Sequence, residues 1–228
     1  MSVVELTYHG HACFSIAVGD TQLLIDPFLT GNDQADVRAD EVEADYILVS
    51  HGHGDHVGDT VEIAKRTGAM AISNFEIQNW LSEQGVERTH PLHIGGGWDF
   101  SFGRVKLTIA HHGSALPDGT CGGSPAGFLL TLEGKKIYDA CDTGLFYDMK
   151  LIGEEGLDVA ILPIGDNFTM GPDDALKAVK LLEPRLVIPI HYNTFDVIEQ
   201  DPQAFAARVE AETPAQCVVL RPGESLRL

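Results

Sequence analysis

The chain has 228 residues, and its 15 Lys and Arg stand against 34 Asp and Glu, a formal charge of −19. That acidity speaks against a nucleic-acid groove or an anionic membrane surface, since both reward clustered cations. With 44% hydrophobic and 21% charged residues the sequence can bury a sizeable core and is not a disordered chain.

No apolar run approaches the ~20 residues needed to span a bilayer. Met1-Ser2-Val3-Val4-Glu5 lacks the basic start and apolar stretch of a signal peptide. Cys13, Cys121, Cys141 and Cys217 show no Cys-x-x-Cys spacing, and are expected to be reduced thiols in a cytoplasmic protein. No linker divides the chain, so one domain over residues 1–228 is expected.

In chain order, Val3 to Tyr8, Ala12 to Val18 and Thr21 to Ile25 alternate as three short strands with turns at Gly10-His11 and Gly19-Asp20. An acidic segment, Thr30 to Glu43, follows Asp26-Pro27. Tyr46 to Ser50 reads as a buried strand. Helices are expected from Asp59 to Arg66, ending at Gly68, and from Phe75 to Gln84, ending at Gly85, with a strand over Ala69 to Ser73 between them. His90 and His93 flank Pro91 in what reads as a solvated loop. Strands follow at Trp98 to Phe102, Val105 to Ala110, Gly127 to Leu132 and Lys136 to Ala140. The loop His111 to Ala126, rich in Gly, Ser and Pro, has the composition of a mobile site cover. Asp158 to Pro163 and Leu186 to Ile190 are unbroken apolar runs, as in strands buried on both faces. Pro172 and Pro202 each open a helix. No repeat of fixed period is visible. The pattern predicts two packed sheets flanked by helices.

The most informative segment is His51-Gly52-His53-Gly54-Asp55-His56, directly after the apolar run Tyr46 to Val49. Four metal-capable side chains in six residues are hard to explain as packing. Neutral imidazole and carboxylate are common donors for zinc and similar ions, and alternating positions on a tight loop can serve two neighbouring ions. Three other apolar runs also end in candidate ligands: Thr108 to Ala110 in His111-His112, Ile137 to Cys141 in Asp142, and Leu186 to Ile190 in His191. Strand ends along one sheet edge converge in space, so these residues are expected to meet the His51 to His56 loop.

Gly10-His11-Ala12, Asp26-Pro27-Phe28, the histidine-rich loop, Ala110-His111-His112-Gly113-Ser114, Asp142-Thr143-Gly144 and His191-Tyr192-Asn193-Thr194-Phe195 together resemble the metallo-β-lactamase superfamily over almost the whole chain. Within it the chain is most similar to the branch of metal-dependent hydrolases related to ascorbate-6-phosphate lactonase and the N-acylphosphatidylethanolamine-hydrolysing phospholipase D. The resemblance implies a four-layer αββα sandwich, α/β in class, with two mixed β-sheets flanked by helices and two metal ions at one edge. It assigns His51, His53 and His112 to the first ion and Asp55, His56 and His191 to the second, with Asp142 bridging. His112 is preferred to His111 because the related branch carries its ligand as Ala-x-His. His111 is then an outer partner or exposed. Cys141 stands where a glycine is common, which puts the packing under Asp142 in question. Related proteins also imply a homo-oligomer.

The remaining polar residues have plainer readings. His9 and His11 are expected to make structural hydrogen bonds. Asp26 either orients a ligand histidine or forms an Asx-turn before Pro27. Asp166 either faces the site or caps a loop, and Tyr192 and Asn193 either touch substrate or face solvent. Cys13 and Cys141 read as small buried hydrophobes.

Two adjacent cations lower the pKa of a bound water. The expected reaction is attack by a metal-bridging hydroxide on an ester, lactone or phosphodiester of a small-molecule substrate, with Asp55 orienting it and serving as catalytic base. Zinc is the first expectation, with manganese or iron as alternatives. The competing reading is a non-catalytic or redox metal module of di-iron type. No Gly-x-Ser-x-Gly elbow suggests a serine hydrolase.

Overall fold

A computed structural model describes residues 3–228; Met1 and Ser2, part of the N-terminal stretch read for a signal peptide, lie outside the described residues. The strands are β1 (Val4–Tyr8), β2 (Phe14–Val18), β3 (Thr21–Ile25) and β4 (Tyr46–Leu48). After β4 come α1 (Gly54–Val57), α2 (Thr60–Thr67), β5 (Met70–Asn74), α3 (Phe75–Glu83) and β6 (Thr89–Leu92). The second half runs β7 (Gly97–Phe100), β8 (Gly103–Ile109), β9 (Ala126–Leu132), β10 (Lys135–Asp139), α4 (Met149–Gly153), β11 (Val159–Pro163) and α5 (Pro172–Leu182). It ends with β12 (Leu186–Ile190), α6 (Pro202–Glu212), β13 (Gln216–Cys217) and β14 (Ser225–Arg227).

The strands form two seven-stranded sheets, β14-β1-β2-β3-β4-β5-β6 and β13-β12-β11-β10-β9-β8-β7. Both are mixed in the same way. In the first sheet β14, β1, β2 and β3 pair antiparallel and β3 to β6 pair parallel. In the second, β7 to β10 pair antiparallel and β10 to β13 pair parallel. The expected two-sheet sandwich is therefore present, built twice on one plan.

Three apolar clusters separate four layers. Phe14, Ile16, Leu23 and Ile25 of the first sheet meet Phe128, Leu130, Ile137 and Ile161 of the second in the central cluster. Leu24, Ile47 and Ala71 on the outer face of the first sheet pack with Ile63 of α2 and Ile77 and Leu81 of α3. On the other flank, Tyr138, Ala160 and Leu162 pack with Leu176 and Val179 of α5 and Phe205 and Val209 of α6. Alternation of buried and half-buried residues along β1 and β2 marks strands with one core face. β11 is buried at every position because helices cover its second face.

Helix ends follow local chemistry. Gly68 closes α2 in the left-handed region at φ 74°, and the Asn74 side chain caps α3 by accepting from Ile77 N–H. Asp201 caps α6 ahead of Pro202 by accepting from Gln203 and Ala204.

Two expectations are corrected. His90 is not in a loop: it lies in β6, half-buried against Trp98 and Phe100 with ring centroids 5.3 and 4.9 Å away. Pro91 is tolerated there because β6 is an edge strand; His93 beyond it is exposed. The loop after β8 is not loosely held. Ser114 Oγ–H donates to Gly122 O, Asn74 Nδ2 donates to Gly122 O and Ser124 O, Trp80 Nε1 donates to Asp118, and Leu116 is buried.

The turn after β11 shows how close the chain segments lie. A Cβ on Gly165 would stand 2.2 Å from His191 O and 3.3 Å from His191 Nδ1, whereas one on Gly54 would meet nothing within 4 Å. Gly165→Ala should therefore destabilise the protein by about 1–3 kcal/mol, and Gly54→Ala should stay within about 0.5 kcal/mol of wild type. Urea denaturation midpoints of the two variants check this.

Candidate metal centre

Strand polarity gathers the site. β1 and β3 run in the same sense through the antiparallel meander, and β4 continues parallel to β3. β8 and β10 likewise share a sense, and β12 follows parallel through β11. His11, Asp26, His51 to His56, His111-His112, Asp142 and His191 all follow the C-terminal ends of these strands. Ligand positions in open α/β sheets lie beyond such ends. The halves are stitched there: Ala126 N–H donates to Ser50 O, and His191 N–H donates to His11 O.

The first group is His51, His53 and His112, each offering one ligand atom within 4.8 Å of the others. Ser50 Oγ–H donates to Asp26 Oδ2 at 2.5 Å, so its lone pair accepts from His51 Nδ1–H at 2.9 Å. That arrangement leaves His51 Nε2 as a bare lone pair, 3.0 Å from His53 Nδ1. Burial holds His51 well below the usual imidazole range, and it lowers His112 as well. Both are therefore neutral donors.

The second group is Asp55, His56 and His191, joined by His11. His56 lies between two carboxylates, with Nδ1 2.7 Å from Asp26 Oδ2 and Nε2 3.3 Å from Asp142 Oδ2. Burial opposes its charge, yet Asp142 and Asp26 outweigh burial and raise its pKa well above the imidazole range. Burial likewise opposes the charge of Asp142, and His56 and His191 outweigh it and hold the carboxyl well below its usual range. Asp55 is held ionised against partial burial by the His11 hydrogen bond and by His56. His11 itself is pushed down to about 4 by burial, which Asp55 only partly offsets.

Asp142 links the groups. Its Oδ2 lies 3.3 Å from His56 Nε2, 3.0 Å from His191 Nε2 and 3.4 Å from His112 Nε2. Asp142 is 2% exposed. Its Oδ1 and the Nε2 of His56 are buried without a hydrogen-bond partner. Buried polar atoms are normally satisfied, and imidazole nitrogen beside carboxylate oxygen is a donor set for divalent cations. The residues present fit metal ions.

Backbone strain concentrates here. Of nine non-glycine residues with positive φ among those described, His11, Asp26, Cys141, His191 and Asn193 border the site and Asp166 and Asn167 lie in the adjoining loop. Such conformations cost about 1–3 kcal/mol each and persist where the surroundings over-determine them. Cys141 is buried and held at φ 50°, so the turn under Asp142 uses the left-handed region that glycine adopts with least strain.

All seven expected ligand residues converge. Asp26 takes its orienting reading, accepting from His56 Nδ1–H and from Ser50 N–H and Oγ–H. His9 is structural, bonded to Asp36 and Ser15. His11 also makes hydrogen bonds, to Thr194 and Asp55, and is fully buried inside the cluster, with Nε2 3.2 Å from Asp55 Oδ2. His111 is exposed beside Phe146. Asp166 organises its own loop by pairing with the backbone of Thr169 and Met170. Asn193 accepts from Gln200 N–H, and Tyr192 packs in the core beneath α5 and α6 rather than facing substrate or solvent. All four cysteines are free, with Cys13 and Cys141 buried.

Residues 5–191 match the beta-lactamase superfamily domain. A UPF0173 metal-dependent hydrolase of Bacillus thuringiensis (strain Al Hakam) is 53% identical over 231 residues, covering 99% of this chain and 100% of that protein. The chain belongs to the UPF0173 metal-dependent hydrolases of the beta-lactamase superfamily. The Igni18 metallo hydrolase of Ignicoccus hospitalis superimposes with a TM-score of 0.91 at 37% identity, over 100% of this chain and 99% of that one. CmlA, a diiron beta-hydroxylase from Streptomyces venezuelae, matches with a TM-score of 0.78 at 16% identity, over 100% of this chain and 54% of that one; at that identity the likeness is one of fold.

Two outcomes follow for this UPF0173 protein. Asp26→Asn should weaken metal affinity about 10–100-fold by removing the acceptor that aligns His56, while His9→Asn leaves it unchanged; competition against a chelator measures both. A cation at His56 Nε2 must expel the proton that Asp142 and Asp26 hold there. Uptake should therefore release protons and tighten as pH rises toward the raised His56 pKa, as calorimetry in buffers of different ionisation heat would show.

Proposed function

We propose that the chain is a two-metal hydrolase acting on the ester or lactone bond of a small-molecule substrate, with zinc as the first choice of ion and manganese or iron as alternatives. The observation that carries this reading is the single oxygen, Asp142 Oδ2, facing His112 of one ligand group and His56 and His191 of the other. In it, His51, His53 and His112 would hold one ion and Asp55, His56 and His191 the second, with Asp142 shared between them. Such ions would supply Lewis-acid chemistry, making a water acidic enough to attack and polarising the substrate bond.

The side chains divide the remaining work. Asp55, ionised and with its carboxylate 28% exposed, can accept a hydrogen bond from the attacking water and orient it. Asp26 fixes the rings of His51, through Ser50, and of His56. Phe28 and Phe195 flank His11 with ring centroids 5.6 and 5.5 Å away and give the site an apolar side.

A neutral carbonyl is favoured over a phosphodiester by charge. None of the fifteen Lys and Arg lies in the segments that supply the site, 10–13, 26–29, 50–58, 110–113, 141–143 and 191–195. Those segments offer a phosphodiester no Lys or Arg, and the overall charge is −19. The chain is placed in the cytoplasm in this reading; no helix among the described residues is long and apolar enough to cross a membrane.

Purified protein should carry two equivalents of metal by elemental analysis and cleave aryl esters or lactones in preference to bis-aryl phosphates. Asp142→Asn should lower kcat/KM by at least ~10²-fold and reduce bound metal. Preferential phosphodiester cleavage contradicts the substrate class, and full activity with one equivalent contradicts the two-ion mechanism.

A further inference from the structure

His11 belongs to the site by the same structural logic as the histidines already assigned. Its ring is fully buried, its centroid lies 4.2 Å from that of His191 and 5.5 Å from that of His56, and its ligand atom lies within 4.8 Å of those of Asp55, His56 and His191. The hydrogen bonds fix which nitrogen faces inward. Thr194 Oγ lies 2.9 Å from His11 Nδ1 and 3.5 Å from Tyr192 O, so with its hydroxyl turned to Tyr192 O it can accept from His11 Nδ1–H. Without metal His11 Nε2 shares a proton with Asp55 Oδ2 at 3.2 Å; with the proton on Nδ1 instead, Nε2 is a free lone pair turned to the same carboxylate. A cation beside Asp55 would take the place of that shared proton.

His51 and His56 have the same arrangement: Nδ1–H is given to an outer oxygen and Nε2 is turned to the centre. An outer acceptor on the second ring nitrogen is the usual companion of a metal-bound histidine. The backbone agrees. His11 holds φ 56°, its carbonyl accepts from His191 N–H and Tyr8 O–H, and the strained turn is thereby locked to the loop that carries His191.

We propose that His11 is a ligand of the second ion through Nε2, beside Asp55, His56 and His191, with Thr194 as the residue that fixes its tautomer. This inference rests on the two-ion reading above. It gives the second position three imidazoles in addition to its carboxylates, and so makes it less labile than a position held by two.

Cobalt(II) titration of the metal-free full chain tests it, with proton NMR of the loaded protein as the direct readout. The discriminating variant is His11→Asn. Asn tolerates positive φ, and its amide occupies the place of Nδ1 beside Thr194 without reaching Asp55. Wild type should take up two equivalents. His11→Asn should bind the first equivalent unchanged, which also shows that it folds, and the second at least ~10-fold more weakly. One exchangeable, paramagnetically shifted ring N–H resonance of wild type should vanish in the variant. Thr194→Val, which keeps His11 but removes its acceptor, serves if His11→Asn does not fold, and should shift that same resonance. Unchanged second-equivalent affinity together with an unchanged set of shifted resonances would overturn the assignment of His11. Uptake of a single equivalent by wild type would instead overturn the two-ion reading.

Discussion

The Asp142 carboxylate is the constraint on which the architecture turns. It is buried, ionised and faced by His56, His112 and His191 across 3.0–3.4 Å. Removing such a charge from water is costly unless it is paired. Without metal, Asp142 and Asp26 jointly hold a proton on His56. In the two-ion reading, cations would replace that proton in the same field. The cluster is stable as a set of mutually compensating charges, so the protein can preorganise its ligands before any ion arrives.

That preorganisation depends on strand direction. Each half of the chain makes an antiparallel meander and then turns to parallel strands, so alternate meander strands and all the parallel ones deliver their C-terminal ends to a common edge. The side chains are aimed there by left-handed backbone at His11, Asp26, Cys141 and His191. Strain of that kind is held by the sheets on either side, whose shared cluster is fully buried.

Much of this organisation is legible in the sequence. Apolar runs ending in His51, His112, Asp142 and His191 disclose both the strands and the site, because a ligand placed beyond a strand end follows its strand directly. Gly68 and Gly85 mark helix ends through chemistry that needs no tertiary context. Other elements are hidden for physical reasons. β6 contains Pro91, which reads as a loop until the strand is known to lie at an edge, and β13 and β14 are too short to show a period. α4, five residues long with Met149 and Ile152 buried, is too short to show a period. His11 and His9 look alike two residues apart; only the fold shows one meeting Asp36 and Ser15 and the other meeting Asp55. The duplicated sheet plan leaves no trace in sequence, since it constrains strand direction and not residue identity.

Anomalous diffraction at the metal absorption edge, on crystals of the metal-loaded protein, tests the central claim most directly. The account predicts two peaks about 3.5–4 Å apart, one on either side of Asp142 Oδ2, the first bounded by His51, His53 and His112 and the second by Asp55, His56 and His191. A single peak, or two peaks of which neither touches Asp142, would contradict it.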